Sequence, residues 1–209
     1  MPSQIRLLTV IILSFLIYIL IPADQSKAQS KYQTSDSGVA VMVHAGYAKI
    51  KENVAGRWVG LSISANRKVD LSVDISNVMV KNVDGYADWN FEILSFGATV
   101  FPTRQWDGNS VTSQFVLAVA NSYNNYAKGI GITTGFGLSK QLDHVHPGIM
   151  LLYSPLAGGV PSENLGIGLG ITFSIRLMHS LSLNLNPALN IGLNYNSWVP
   201  GVGLGIVMN

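Results

Sequence analysis

The chain contains no cysteine. That excludes disulfides, thiolate metal sites, a cysteine nucleophile and a lipobox, so an exported form must rely on backbone hydrogen bonding and burial. Charge is almost as scarce. Asp, Glu, Lys and Arg make up 11% of the 209 residues, against about 25% in ordinary soluble domains. A formal net charge of +2 offers no basic surface for nucleic acid. No helical period follows the first apolar run, and no P-loop is present. The glycine-rich stretches GIGLGIT and GVGLGIV open no helix and keep strand alternation, which argues against a phosphate-binding loop.

At the N-terminus Arg6 precedes an apolar run from Leu7 to Ile21, broken by Pro22. Ser26-Lys27-Ala28 then supplies small residues at the −3 and −1 positions that signal peptidase requires. The run is short for a spanning helix, which needs about 20 residues. The sequence therefore predicts a cleaved signal peptide over 1–28, a polar lead-in over 29–37 and one domain over 38–209, with no linker or composition break inside it.

What the chain has in abundance is strict alternation. In SLSLNLNPALNIGLNY, residues 180–195, one parity holds Leu181, Leu183, Leu185, Pro187, Leu189, Ile191, Leu193 and Tyr195. The other parity is small or polar and carries no charge. Val39 to Tyr47, Val59 to Ala65, Val69 to Ile75, Phe115 to Val119, Ile130 to Leu138, Ile149 to Tyr153, Leu165 to Leu177 and Val202 to Met208 behave the same way. In DWNFEILSFGATV, 88–100, the apolar parity flips after Ile93, which predicts a β-bulge. Asn, Asp, Gly and Pro fill the connections. Ten strands result; demoting the weaker 111–121 and 147–155 to loops would leave eight.

Sandwich strands run about 5–6 residues, whereas spanning strands need about 9–11. A soluble sheet also keeps its wet face charged, while these polar faces are Gly, Ser, Thr and Asn. Unpaired backbone in hydrocarbon costs several kcal/mol per group, so a sheet crosses a bilayer only as a closed ring. The expected fold is all-β: a closed antiparallel up-and-down transmembrane barrel of 8–10 strands, with aliphatic side chains to lipid and small polar ones to the lumen. Tyr47, Trp89, Tyr153, Tyr195 and Trp198 fall near segment ends, as interfacial aromatics do.

With its signal segment, length, strand rhythm and stretches such as FEILSFGATVFP and GIGITTGFGLSKQL, the chain resembles the OmpA-like small outer-membrane β-barrels, including the OmpX and OmpW types. The resemblance implies insertion in a bacterial outer membrane, contact with its lipid and lipopolysaccharide, use of the barrel-assembly machinery, short periplasmic turns and longer outer loops, here 80–88, 121–128 and 155–164. It implies a structural, surface-interaction or minor pore role. Such barrels usually end in an aromatic residue that the assembly machinery reads; this chain ends GLGIVMN.

Asp70, Asp74, Glu92 and Arg176 lie opposite the apolar parity, and a charge in a narrow lumen must be paired or solvated. We expect Arg176 to pair with one or more of these carboxylates and the lumen to be largely plugged. His144 and His146 in LDHVHP read as a solvated turn; H-x-H alone is a weak metal signal. No spacing pairs a nucleophile with a base and its orienting group, so neither catalytic residues nor a metal or cofactor is expected. Two alternatives stay open: a lipid A-modifying enzyme, with a Ser/His constellation at the rim, and a soluble secreted β-sandwich.

Overall fold

In a computed structural model the described residues are 39–65, 68–81, 88–102, 111–123, 129–140, 144–157, 160–178, 180–194 and 197–208. The signal peptide and lead-in expected over 1–37 lie outside them, as do Tyr195 and His179. The chain forms β1 (Val39–Lys51), β2 (Val54–Ala65), β3 (Val69–Val80), β4 (Trp89–Val100), β5 (Thr112–Tyr123), β6 (Gly129–Ser139), β7 (Val145–Ala157), β8 (Val160–Met178), β9 (Leu181–Gly192) and β10 (Ser197–Met208). Each pairs antiparallel with its chain neighbours, and β1 pairs with β10 from Val41↔Met208 to Ala48↔Gly201. The ring is closed and no edge is left. The sandwich alternative is thereby corrected: among the described residues one sheet meets itself, with no second layer.

The stagger of this ring sets its tilt. Following cross-strand partners from Val39 through Ala65, Val69, Val100, Phe115, Phe136, Leu151, Ile167 and Ile191 leads to Trp198. Extending the β10–β1 pairing places Trp198 at the level of Lys51, so one circuit climbs from position 39 to position 51 on β1. Ten strands with that stagger lean about 40° from the axis, within the usual range for barrels. A twelve-residue strand at about 3.3 Å per residue then rises roughly 30 Å, the thickness of a bilayer's hydrocarbon core.

Burial is inverted relative to a soluble domain. All ten strands expose large apolar side chains outward, among them Val43, Leu61, Ile75, Phe96, Leu117, Phe136, Leu151, Ile175, Leu185 and Leu204. Soluble monomers rarely expose contiguous apolar patches beyond a few hundred Å². Among the described residues, buried Ser, Thr, Asn, His and Lys outnumber buried apolar side chains, and the apolar core cluster is only Ala40, Met42 and Val207. The core sits inside the ring, and it is polar.

The eight-strand alternative closes in favour of the ten counted from the sequence, and two other expectations change. The segments 111–121 and 147–155 belong to full strands, β5 and β7, which makes the count ten. The expected loop 155–164 is mostly sheet: β7 runs to Ala157 and β8 starts at Val160, with a register shift between Ser154 and Leu156. The bulge expected in 88–100 is absent, since β3 and β4 pair without interruption from Val80↔Trp89 to Val69↔Val100.

The parity flip in β4 has another cause. Near the rim remote from Val39 and Met208, Val78 and Ile93 occupy the lumen parity, while Arg57, Asn77 and Glu92 stand in cross-strand register on the outward one. Outward aliphatics give way there to polar groups, as in a wall that has risen clear of an apolar surround. The interval between strands is also longest at the opposite rim, 101–111 between β4 and β5, not on the side where the resemblance places long loops.

Candidate functional site

The lumen is built by the small parity of each strand. Near the rim holding Val39 and Met208 its side chains close together: Ser64, Thr112, Ser174, Ser182, Asn184 and Val207 are buried, each from a strand that exposes large apolar side chains on its other face. Small side chains let this layer close across the ring. Lys140, just beyond β6, is also buried, and its backbone N–H donates to the Pro147 carbonyl at 3.0 Å.

Farther in, one polar network spans three strands. His44 of β1, Gly60 of β2 and Asp74 of β3 are successive cross-strand partners. The His44 Nε2 to Asp74 Oδ1 distance is 2.6 Å, so the two side chains meet across the intervening strand. Gly60 makes this possible. A Cβ there would overlap Asp74 Oδ1 and lie 2.6 Å from His44 Nε2 and 2.7 Å from the Val73 carbonyl oxygen. One step along β2, the Ser62 hydroxyl lies 3.4 Å from His44 Nδ1. With Nε2–H donating to the carboxylate, Nδ1 keeps its lone pair and accepts from Ser62. Above this network the Trp58 indole covers Gly46, where any side chain would collide with the ring.

Beside Ser62 a cavity of about 340 Å³ opens across the lumen, bordered by Asp70, Ser72, Thr99, Gln114, His146 and Asn190. Gly168 and Gly170 of β8 form part of its wall, and a Cβ at Gly170 would meet nothing within 4 Å. The glycines of β8 thus leave space unfilled, whereas Gly205 of β10 receives Met42, whose sulfur would be 2.9 Å from a Cβ. A second cavity, of about 420 Å³, lies nearer the other rim beside Thr133, Ser154, Asn164 and Asn190, with Thr133 and Ser154 hydroxyls 2.8 Å apart.

The four charged residues expected in the lumen stand at different places in the ring. Asp70 borders the cavity and Asp74 is engaged by His44. Arg176 has the lumen parity of β8 but is exposed near the terminal rim, and its Nε donates to the Met178 carbonyl at 3.3 Å. The group that meets Asp74 is a histidine, His44. Glu92 is exposed and shares the outward parity of Leu94 and Phe96, because β4 contains no bulge to turn it inward. His146 is no turn residue: it lies in β7, buried at 4% exposure, against the cavity. Among the described residues no three metal-ligating side chains gather.

Of the aromatics expected at the boundaries, Tyr47 faces outward opposite Arg57, Tyr153 outward opposite Thr134, and Trp198 lies opposite Ile191. Trp89 opens β4 opposite Val80. Sequence reading passed over His44, Gly60 and Ser62 as a set. Each stood on the small parity of its segment, but only the strand register brings them together.

No family model matches this chain, and no curated protein does. Solved structures do resemble it. Neisserial surface protein A aligns over 84% of this chain and 99% of its own, at 13% identity and a TM-score of 0.36. The translocator domain of the autotransporter NalP from Neisseria meningitidis aligns over 85% and 90%, at 10% identity and a TM-score of 0.41. The β domain of the Bordetella autotransporter BrkA aligns over 82% and 98%, at 11% identity and a TM-score of 0.42.

Proposed function

We propose that the protein is a bacterial outer-membrane β-barrel, exported by cleavage of residues 1–28, with a structural or surface-interaction role and at most a minor pore. One observation carries this reading: every strand of a closed ring turns large apolar side chains outward, while most of the side chains buried inside are small or polar. In water that outer face would be a liability; in lipid it is the required solvent. Its surroundings are then outer-membrane lipid and lipopolysaccharide, and the barrel-assembly machinery inserts it. The buried layer of Ser64, Ser174, Ser182, Asn184 and Val207 supports a lumen plugged at the terminal rim.

Two measurements test the proposal. The membrane fraction run on a gel without heating should yield a band of shifted mobility that reverts on boiling, since closed barrels resist unheated detergent; recovery in the aqueous fraction would overturn it. Purified protein in planar bilayers should give no large, steady single-channel current, because a side-chain layer packed across the terminal rim would block a continuous water path. Such currents would rule out the plug.

A further inference from the structure

We propose that Ser62, His44 and Asp74 form a serine acyl-transfer centre inside the lumen, hydrolysing small water-soluble esters that enter the 340 Å³ cavity. Three observations converge on it. First, the nucleophile, base and orienting group are in series: Asp74 Oδ1 stands 2.6 Å from His44 Nε2, and His44 Nδ1 stands 3.4 Å from Ser62 Oγ. The second distance is long for a hydrogen bond, as nucleophile–base contacts commonly are before substrate binds. Second, the position between the base and its orienting group is a glycine whose Cβ would overlap Asp74 Oδ1 and crowd His44. Third, Ser62 borders a cavity, whereas a purely structural network has no need of one.

The cavity's size lies at the lower end of the range for small-molecule sites, roughly 300–1,000 Å³. It opens to the lumen and is separated from the barrel's exterior by hydrogen-bonded backbone, so the acyl chain of a lipid outside cannot reach Ser62. This differs from a lipid A-modifying enzyme, whose Ser and His would stand at the rim.

The chemistry balances with water as the second reactant. His44 Nδ1 takes the Ser62 hydroxyl proton as Oγ bonds to the ester carbonyl carbon; the carbon–alkoxy bond breaks, and the alcohol leaves with that proton. Water, giving a proton to His44, then attacks the acyl-serine. The carboxylic acid departs, and Ser62 regains its proton. The Gln114 amide and the Thr99 and Thr172 hydroxyls border the same cavity, and hydrogen-bond donors of that kind are what a developing oxyanion requires. Asp74 is a positioning residue: it fixes the tautomer that presents Nδ1 to Ser62.

The test uses the full chain, folded in detergent micelles, with a fluorophosphonate probe and p-nitrophenyl acetate. One phosphonyl adduct is expected, mapped to Ser62 by peptide mass. His44→Gln, which keeps a side-chain N–H toward Asp74, should slow both labelling and ester turnover about 100-fold. Asp74→Asn should slow labelling while the heat-modifiable gel shift persists, a separation that loss of packing alone would not produce. An unmodified Ser62 in the unaltered protein overturns the proposal without any variant, as does an equal labelling rate in folded His44→Gln. The lumen is enclosed whatever surrounds the barrel. A failed label therefore leaves the membrane reading standing, and a failed membrane fractionation leaves the label to decide the site.

Discussion

Leu117→Arg should destabilise the barrel by about 2–4 kcal/mol when it is unfolded by urea from phospholipid vesicles. Leu117 is near the middle of β5, faces outward and is half exposed. In lipid the guanidinium must be dragged to the midplane or must deform the bilayer around itself, and the folded state bears that cost. On a protein in water the same exposed position would tolerate arginine within about 0.5 kcal/mol. The two environments therefore predict results that differ several-fold for one substitution. Depth supplies a control. Glu92→Arg, on the outward parity beside Asn77 near the far rim, should cost no more than about 1 kcal/mol, since the penalty falls away toward the interface. Equal, small effects at both positions would sink the claim that lipid surrounds these strands.

Gly60→Ala should cost about 2–4 kcal/mol, a large effect for one methyl group, while Gly170→Ala should be neutral or stabilise slightly. Both glycines sit in strands with lumen parity, and the intrinsic benefit of replacing a strand glycine is shared. What differs is the space. At Gly60 the added carbon collides with the Asp74 carboxylate, crowds His44 and meets the Val73 carbonyl at 2.7 Å. Side chains can swing aside, but that carbonyl belongs to the β2–β3 wall and moves only with it. Overpacking costs about 1–3 kcal/mol, and losing a charge-assisted hydrogen bond costs about 1.5–3, which overlap here because one displacement causes both. At Gly170 the carbon enters the cavity and touches nothing. Urea midpoints of the pair, followed by tryptophan fluorescence, give the comparison directly. A harmless Gly60→Ala would show that the wall yields and that Gly60 is not what lets His44 and Asp74 meet.

The outward face was legible because alternation is local. Leu181, Leu183 and Leu185 declare a common side of β9 without any knowledge of β8 or β10, and the same holds for Val202, Leu204 and Ile206. β4 shows where local reading fails. Trp89, Phe91 and Ile93 are apolar, Leu94 and Phe96 are apolar, and a single-segment reader who assumes one apolar side must insert a bulge. The observed strand has none, since the favourable side for apolar groups changes along the wall near the far rim. The same error carried Glu92 into the lumen. β7 was underrated for a different reason: Pro147 and Gly148 look like turn residues, yet Pro147 is buried within the strand and its carbonyl accepts from Lys140.

Composition and period alone determined an all-β chain, its closure and which parity is small. Those properties follow from the two-residue repeat of a strand and from the cost of unpaired backbone in an apolar surround, and both can be read along one segment. The tertiary structure alone decided the strand number, the stagger of the ring and the meeting of His44, Gly60, Asp74 and Ser62. That meeting is a matter of register. Residues 18 and 30 positions apart become neighbours only when three strands slide to one alignment. Alternation tells every strand which way to face, but it repeats every two residues and so does not say how far each one slides.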